Sequence, residues 1–230
     1  MAADTGVWLE DLTWPEAKAR FAADAVVVVP IGAVAKAHGP HLPLRTDATT
    51  ARALAQRLIE RLPLIAAPVV GFGFYPAFTS FAGSQHLSAA TFKALLSELL
   101  ANLRRDGVRR IALLNTGVST EKPIDELAAG ADDVLVLHMR GLGAAAERLL
   151  AAPDGGHADE RETSVMLAID PRSVRMDKLS AFATFEQTGA TGDASRATAF
   201  KGERILAARI DDMVAALGRR WPDLQKAPPV

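Results

Sequence analysis

Apolar positions along the chain fall into two kinds of run. Val26 to Val29 are four β-branched residues in succession inside the stretch Ala25 to Pro30, the pattern of a strand buried on both faces. Leu64 to Val70, Ile111 to Leu114 and Val134 to Met139 are similar short runs. Pro68 interrupts the first of these, which suits a sheet edge or a strand end. Between the runs the spacing changes to three and four. Leu54, Leu58 and Leu62 mark a helix over Thr49 to Leu62. Phe92, Leu95, Leu96, Leu99, Leu100 and Leu103 mark another over Ala89 to Asp106, with Gly107 at the C-cap. Further helices are predicted from about Pro123, over Glu162 to Ile169, and over Ala199 to Leu217 with Ile205, Ile210, Met213, Val214 and Leu217 inward. The alternation predicts one domain over residues 1–230, a three-layer α/β/α sandwich with a largely parallel sheet. The tail from 219 to 230, proline-rich after Lys226, is expected to be flexible.

Chemistry gathers where the predicted strands end. His38-Gly39-Pro40-His41-Leu42-Pro43-Leu44-Arg45-Thr46-Asp47 follows the first strand, and open α/β sheets bind ligands outside the carboxyl ends of their strands. Imidazole and carboxylate are the usual ligands of zinc, manganese or iron. The five histidines, His38, His41, His86, His138 and His157, all lie beside a strand end or in a loop. Each alone reads as a structural histidine; together with Asp47 and Glu162 they favour a site.

Composition narrows the function. The 26 basic and 27 acidic residues leave a formal charge of −1, without the basic footprint of a general nucleic-acid binder. The absence of cysteine excludes disulfides, thiolate metal sites and cysteine nucleophiles. Met1 to Trp8 has no apolar signal region, and no apolar run approaches the ~20 residues of a membrane helix. A soluble cytoplasmic protein with a small-molecule substrate is expected, binding neither nucleic acid nor membrane.

The chain resembles the creatininase (creatinine amidohydrolase) family. Its motif Pro-x-Gly-Ser-x-Glu-Gln-His-Gly-Pro-His-Leu-Pro-x-x-Thr-Asp reads here as Pro30 to Asp47, one residue longer. Phe81-Ala82-Gly83-Ser84 is similar to Phe-Pro-Gly-Thr, and Asn115-Thr116-Gly117-Val118-Ser119-Thr120 stands in the place of Asn-Gly-His-Gly-Gly-Asn. His157 to Ser164 resembles His-Ala-Gly-x-x-Glu-Thr-Ser, and Thr188 to Gly202 follows the family's closing glycine-rich segment. The resemblance implies an α/β/α hydrolase of non-peptide or cyclic C–N bonds, assembled as a homo-oligomer such as a hexamer. It implies two divalent ions that polarise a carbonyl and acidify water, and a proton-shuttling histidine at His157.

The departures fall on the ligands. Lys36 holds the place of the motif glutamate, and Gly117 that of the second-motif histidine. The expectation is therefore one ion (Zn, Mn or Fe) per chain, bound by His38, Asp47 and Glu162 with help from His86. His157 and Lys36 are then the catalytic residues, and Tyr75, Phe78, Ser119 and His138 the substrate-binding walls. Lys36 has two readings, a surface lysine displaced by the insertion or a cation anchoring a substrate anion. The second belongs to the alternative of a metal-free ligand-binding or assembly protein on the same fold; a third is a hydrolase or isomerase using the histidines without metal. His41 is read as a hydrogen-bonding residue of the turn. Ser119 lacks the Gly-x-Ser-x-Gly elbow of a serine nucleophile.

Overall fold

A computed structural model describes residues 6–179 and 184–225. Five strands form one parallel sheet in the order β1-β3-β2-β4-β5: β1 Val7–Trp8, β2 Val26–Ile31, β3 Ile65–Ala66, β4 Arg110–Asn115 and β5 Val134–His138. The helices are α1 Trp14–Ala22, α2 Thr46–Arg61, α3 Ala89–Arg105, α4 Glu121–Ala128, α5 Glu160–Ile169, α6 Phe185–Thr188 and α7 Ala199–Arg220. Side-chain caps start three of them: Ser88 accepts from Thr91 N–H on α3, Asp159 from Glu162 N–H on α5, and Thr198 from Lys201 N–H on α7.

The valine run of β2 is buried from both sides, as its composition demands. Val26 and Val28 face Leu54 and Leu58 of α2 and Leu206 of α7. Val27, Val29 and Ile31 face Phe92 and Leu96 of α3. The connection from β2 runs to β3 on one side and that from β4 runs to β5 on the other. Their carboxyl ends therefore diverge, and that gap is where a doubly wound sheet leaves its crevice.

Two expectations change. The run Leu64 to Val70 is a two-residue strand in the sheet interior, plus one bridge from Val70 to Ile31, because Pro68 has no N–H to continue the ladder. Part of the tail expected to be flexible is built into the fold. Arg219 and Arg220 complete α7, while Trp221 and Leu224 are buried in the core, and 226–230 lie outside the described residues. The N-terminal reading also falls partly on residues outside them, 1–5. No helix among the described residues is long and apolar enough to cross a membrane.

Helix α7 crosses α5 with almost no gap. A Cβ at Gly202 would overlap the carbonyl oxygen of Ser164, so only glycine permits this approach.

Candidate active site

The site is assembled at the ends of β2 and β4. Gly32 follows β2 directly, and a Cβ there would run into the carbonyl of Asp47, so its absence lets the first turn of α2 dock on the strand end. Thr116, just after β4, donates its hydroxyl toward the carbonyls of Ile31 and Asp47, both at 3.1 Å. Strand end, neighbouring strand and helix start are tied together, and Asp47 is carried inside.

Asp47 meets Lys36 there. The two side chains form an ion pair at 2.6 Å, with Lys36 5% and Asp47 3% exposed. His38 lies on the other carboxylate oxygen: its Nε2 is 2.9 Å from Asp47 Oδ1, and its Nδ1 is 2.8 Å from the Lys36 carbonyl. Burial by itself would raise the Asp47 carboxyl, but Lys36 and His38 hold it below the usual carboxylate range. Lys36 is thus a buried pocket residue and not a surface lysine. Its charge is matched from within by Asp47.

His157 forms the next layer. Its Nε2–H donates to the Ala37 carbonyl at 2.7 Å, and Nδ1 turns toward Glu162 Oε2 at 3.6 Å. Its ring packs 4.5 Å from His38 and 4.6 Å from Phe78, centroid to centroid. Burial, then the charges of His38 and Lys36, hold His157 well below the ordinary imidazole value, so it is neutral at pH 7. Glu162 accepts from Ala158 N–H at 2.6 Å, and Ala158 adopts φ +51°, a left-handed conformation rare for alanine. Burial raises the Glu162 carboxyl.

A cavity of about 600 Å³ opens over these groups. Lys36, Phe78, His157, Glu162, Arg161 and Arg209 are among the residues that line it. Ser119 borders it as well.

Other expected residues lie elsewhere. His86 is not brought to the His38–His157–Glu162 cluster; its Nδ1 accepts the backbone N–H of Tyr75 at 3.0 Å, in a parallel bridge between Gly73 and His86. Tyr75 is 2% exposed and donates its hydroxyl to the Gln85 carbonyl; it borders a separate crevice of about 10 Å³, too small for a substrate. His138 stands behind Asn115, bonded through Nδ1 to the Asn115 amide and through Nε2 to Asp125, both at 3.0 Å. His41 holds Thr163 Oγ1 at 2.8 Å, the structural part expected of it. Arg209 and Arg161 had not been singled out. The signal for Arg209 was its place on the inner stripe of α7 with Leu206, Ile210, Met213 and Leu217.

These residues do not fit the two-ion arrangement that the resemblance implies. The ammonium of Lys36 sits on Asp47, and Gly117 has no side chain to coordinate with. They do fit one ion. His38, His157 and Glu162 each offer one ligand atom within 4.8 Å of the others, His38 by giving up its bond to Asp47 or to the Lys36 carbonyl, and two imidazoles with a carboxylate is a donor set of hydrolytic zinc sites.

Known proteins share the architecture. A profile described as creatininase, creatinine amidohydrolase, matches residues 10–217. A mycofactocin precursor peptide peptidase of Mycobacterium ulcerans is 30% identical over 236 residues, covering 91% of this chain and 87% of that protein. A creatinine amidohydrolase of Pseudomonas putida is 27% identical over 255 residues, covering 94% and 98%. A solved structure named creatininase Mn superposes with a TM-score of 0.83 at 27% identity, covering 94% of this chain and 99% of that one. With the profile match spanning nearly the whole sandwich and a relative 30% identical over 91% of the chain, the chain belongs to the creatininase family.

Proposed function

We propose that the protein is an amidohydrolase that cleaves a small amide, lactam or formamide-like C–N bond in the cavity above Lys36. The observation that carries this reading is the convergence of His38, His157 and Glu162 on one point beside that cavity. Those three residues would hold one zinc, manganese or iron ion, which supplies Lewis acidity and acidified water when bound. In this reading His157 is a ligand and not the proton shuttle, and Asp47 is a positioning residue and not a ligand.

The remaining chemistry belongs to the chain itself. Asp47 fixes the Lys36 ammonium with one hydrogen bond, which leaves two N–H donors at Nζ for a carbonyl oxygen gaining charge or a departing nitrogen. The Phe78 ring covers both His157 and Lys36, whose Nζ lies 5.1 Å from its centroid, and keeps water from that side. The Ala37 carbonyl, bonded to Nε2–H, fixes the His157 tautomer with its Nδ1 lone pair toward Glu162. Assembly into a homo-oligomer, the hexamer that the family resemblance implies, belongs to the same proposal and is read by light scattering.

The test is elemental analysis of tag-free protein, with Glu162→Gln and Asp47→Asn alongside and an amide panel for activity. About one equivalent of metal, lost in Glu162→Gln and kept in Asp47→Asn, is expected. Loss in Asp47→Asn with retention in Glu162→Gln would return the ligand role to Asp47. No metal after soaking with zinc, manganese and iron refutes the metallohydrolase. It leaves the second reading, a metal-free binding protein, which the internal Lys36–Asp47 pair favours.

A further inference from the structure

Arg209 faces the cavity with no ion pair among the described residues, although Glu162, Glu147 and Asp159 lie near enough to act on its charge. It projects from the inner face of α7, is 3% exposed, and lines the same cavity as His157 and Glu162. Its Nε has no hydrogen-bond partner, and no ion pair to Arg209 forms among the described residues. The acidic groups around it are engaged elsewhere. Glu147 and Asp159 both pair with Arg161, Glu147 at 3.0 and 2.6 Å and Asp159 at 3.1 Å, and Glu162 takes the Ala158 N–H. Arg161 is therefore satisfied while Arg209 is not. Gly143 helps make room, since a Cβ there would come within 2.9 Å of Arg209 Cγ. Burial, and then the charge of Arg161, pulls the Arg209 guanidinium down to about 10, which leaves it protonated at neutral pH.

Buried charges in native proteins are paired, and a guanidinium fork matches a carboxylate in two parallel hydrogen bonds. We propose that Arg209 is the binding residue for a carboxylate on the substrate, so that the molecule cleaved is an amide carrying a carboxylate, as in an N-acyl amino acid or a peptide C-terminus. The cavity volume suits a ligand of that size. The inference rests on the hydrolase reading for what is cleaved but not for what is bound. Arg209, His157 and Lys36 line one cavity, so one molecule held there by its carboxylate would lie in the space that His157 and Lys36 also border.

The experiment is calorimetric binding in the presence of chelator, so that neither metal nor turnover enters. N-benzoylglycine is compared with its primary amide, and a free tripeptide with its C-terminally amidated form, on wild type and Arg209→Met. Wild type is expected to bind at least one free acid at least tenfold more tightly than its amide, and Arg209→Met to bind acid and amide alike. The pair that shows the preference identifies the small acid or the peptide terminus as the source. Thermal melting separates a structural part from a binding one. A binding residue leaves Arg209→Met at least as stable as wild type, and the free acid raises the melting temperature of wild type alone. Equal affinity for acids and amides in wild type, or an unchanged preference in Arg209→Met, overturns the inference. Metal content fails or succeeds independently, so loss of the hydrolase reading and loss of this one are told apart.

Discussion

Replacing Lys36 with methionine strands a carboxylate. Asp47 stays buried with only His38 against it, while the methionine fills most of the space of the lysine stem. At 2.6 Å and an effective dielectric of about 20, the attraction lost is about 6 kcal/mol. Dehydration of both charges offsets much of that, and breaking a buried pair from one side costs about 3–5 kcal/mol. At roughly 2–4 °C per kcal/mol for a domain of this size, melting should fall by about 6–20 °C. The companion Lys36→Met/Asp47→Leu removes both charges and should recover most of the loss, since apolar replacement of a whole buried pair is often neutral. The assay is thermal denaturation at pH 7 with chelator, on wild type, both single variants and the double variant. Asp47 is depressed in the folded state, so the pair contributes fully above the unfolded carboxyl value of about 4 and is lost as pH falls through the lower folded value. A Lys36→Met protein melting within about 2 °C of wild type, or single effects that simply add in the double variant, would refute the reasoning.

Other outcomes follow from the same geometry. His41 is pushed down to about 4, by burial first and then by His38, so the unfolded chain binds the extra proton and stability falls as pH drops from 6.5 to 4. That contribution is about 3 kcal/mol, and urea denaturation at the two pH values should show His41→Gln losing correspondingly less; an equal loss would remove His41 as the cause. Gly202→Ala should cost about 1–3 kcal/mol or more, because α7 must move off Ser164, and an unchanged melting temperature would contradict so close a crossing. Once an amide substrate is found, Glu162→Gln should lower kcat/KM at least about 100-fold with circular dichroism unchanged, and near-wild-type turnover would exclude the three-residue centre.

The sheet and its large helices were legible because each rule acted alone. Four consecutive valines admit little but a strand covered twice, and apolar residues recurring on one helical face gave α2, α3 and α7 within a few residues. Helix α1 was missed because Phe21 is its single buried residue, so no stripe marks it. In the site, His38, His157 and Glu162 were each named from the motif around them, and the fold brings the three together. The direction of Lys36 did not follow from its neighbours, because its partner arrives from α2 through Gly32 and Thr116, a tertiary event. His86 failed for the opposite reason: it adjoins a motif in sequence, but a bridge to Gly73 turns its ring to Tyr75. Arg209 shows the reverse case, a charge on an apolar stripe that becomes conspicuous once the stripe has been read as buried.

The Lys36–Asp47 pair also bears on how the chain matures. A strand end built around carboxylates stays unfinished until a cation is found for it, so its maturation is tied to the supply of metal. Here the neutralising charge is encoded eleven residues before the carboxylate and is synthesised with it. The junction of β2 and α2 can close as soon as both segments are made, whatever ions surround the nascent protein. Any ion taken up by the proposed His38–His157–Glu162 centre would then load as a separate event on a finished scaffold.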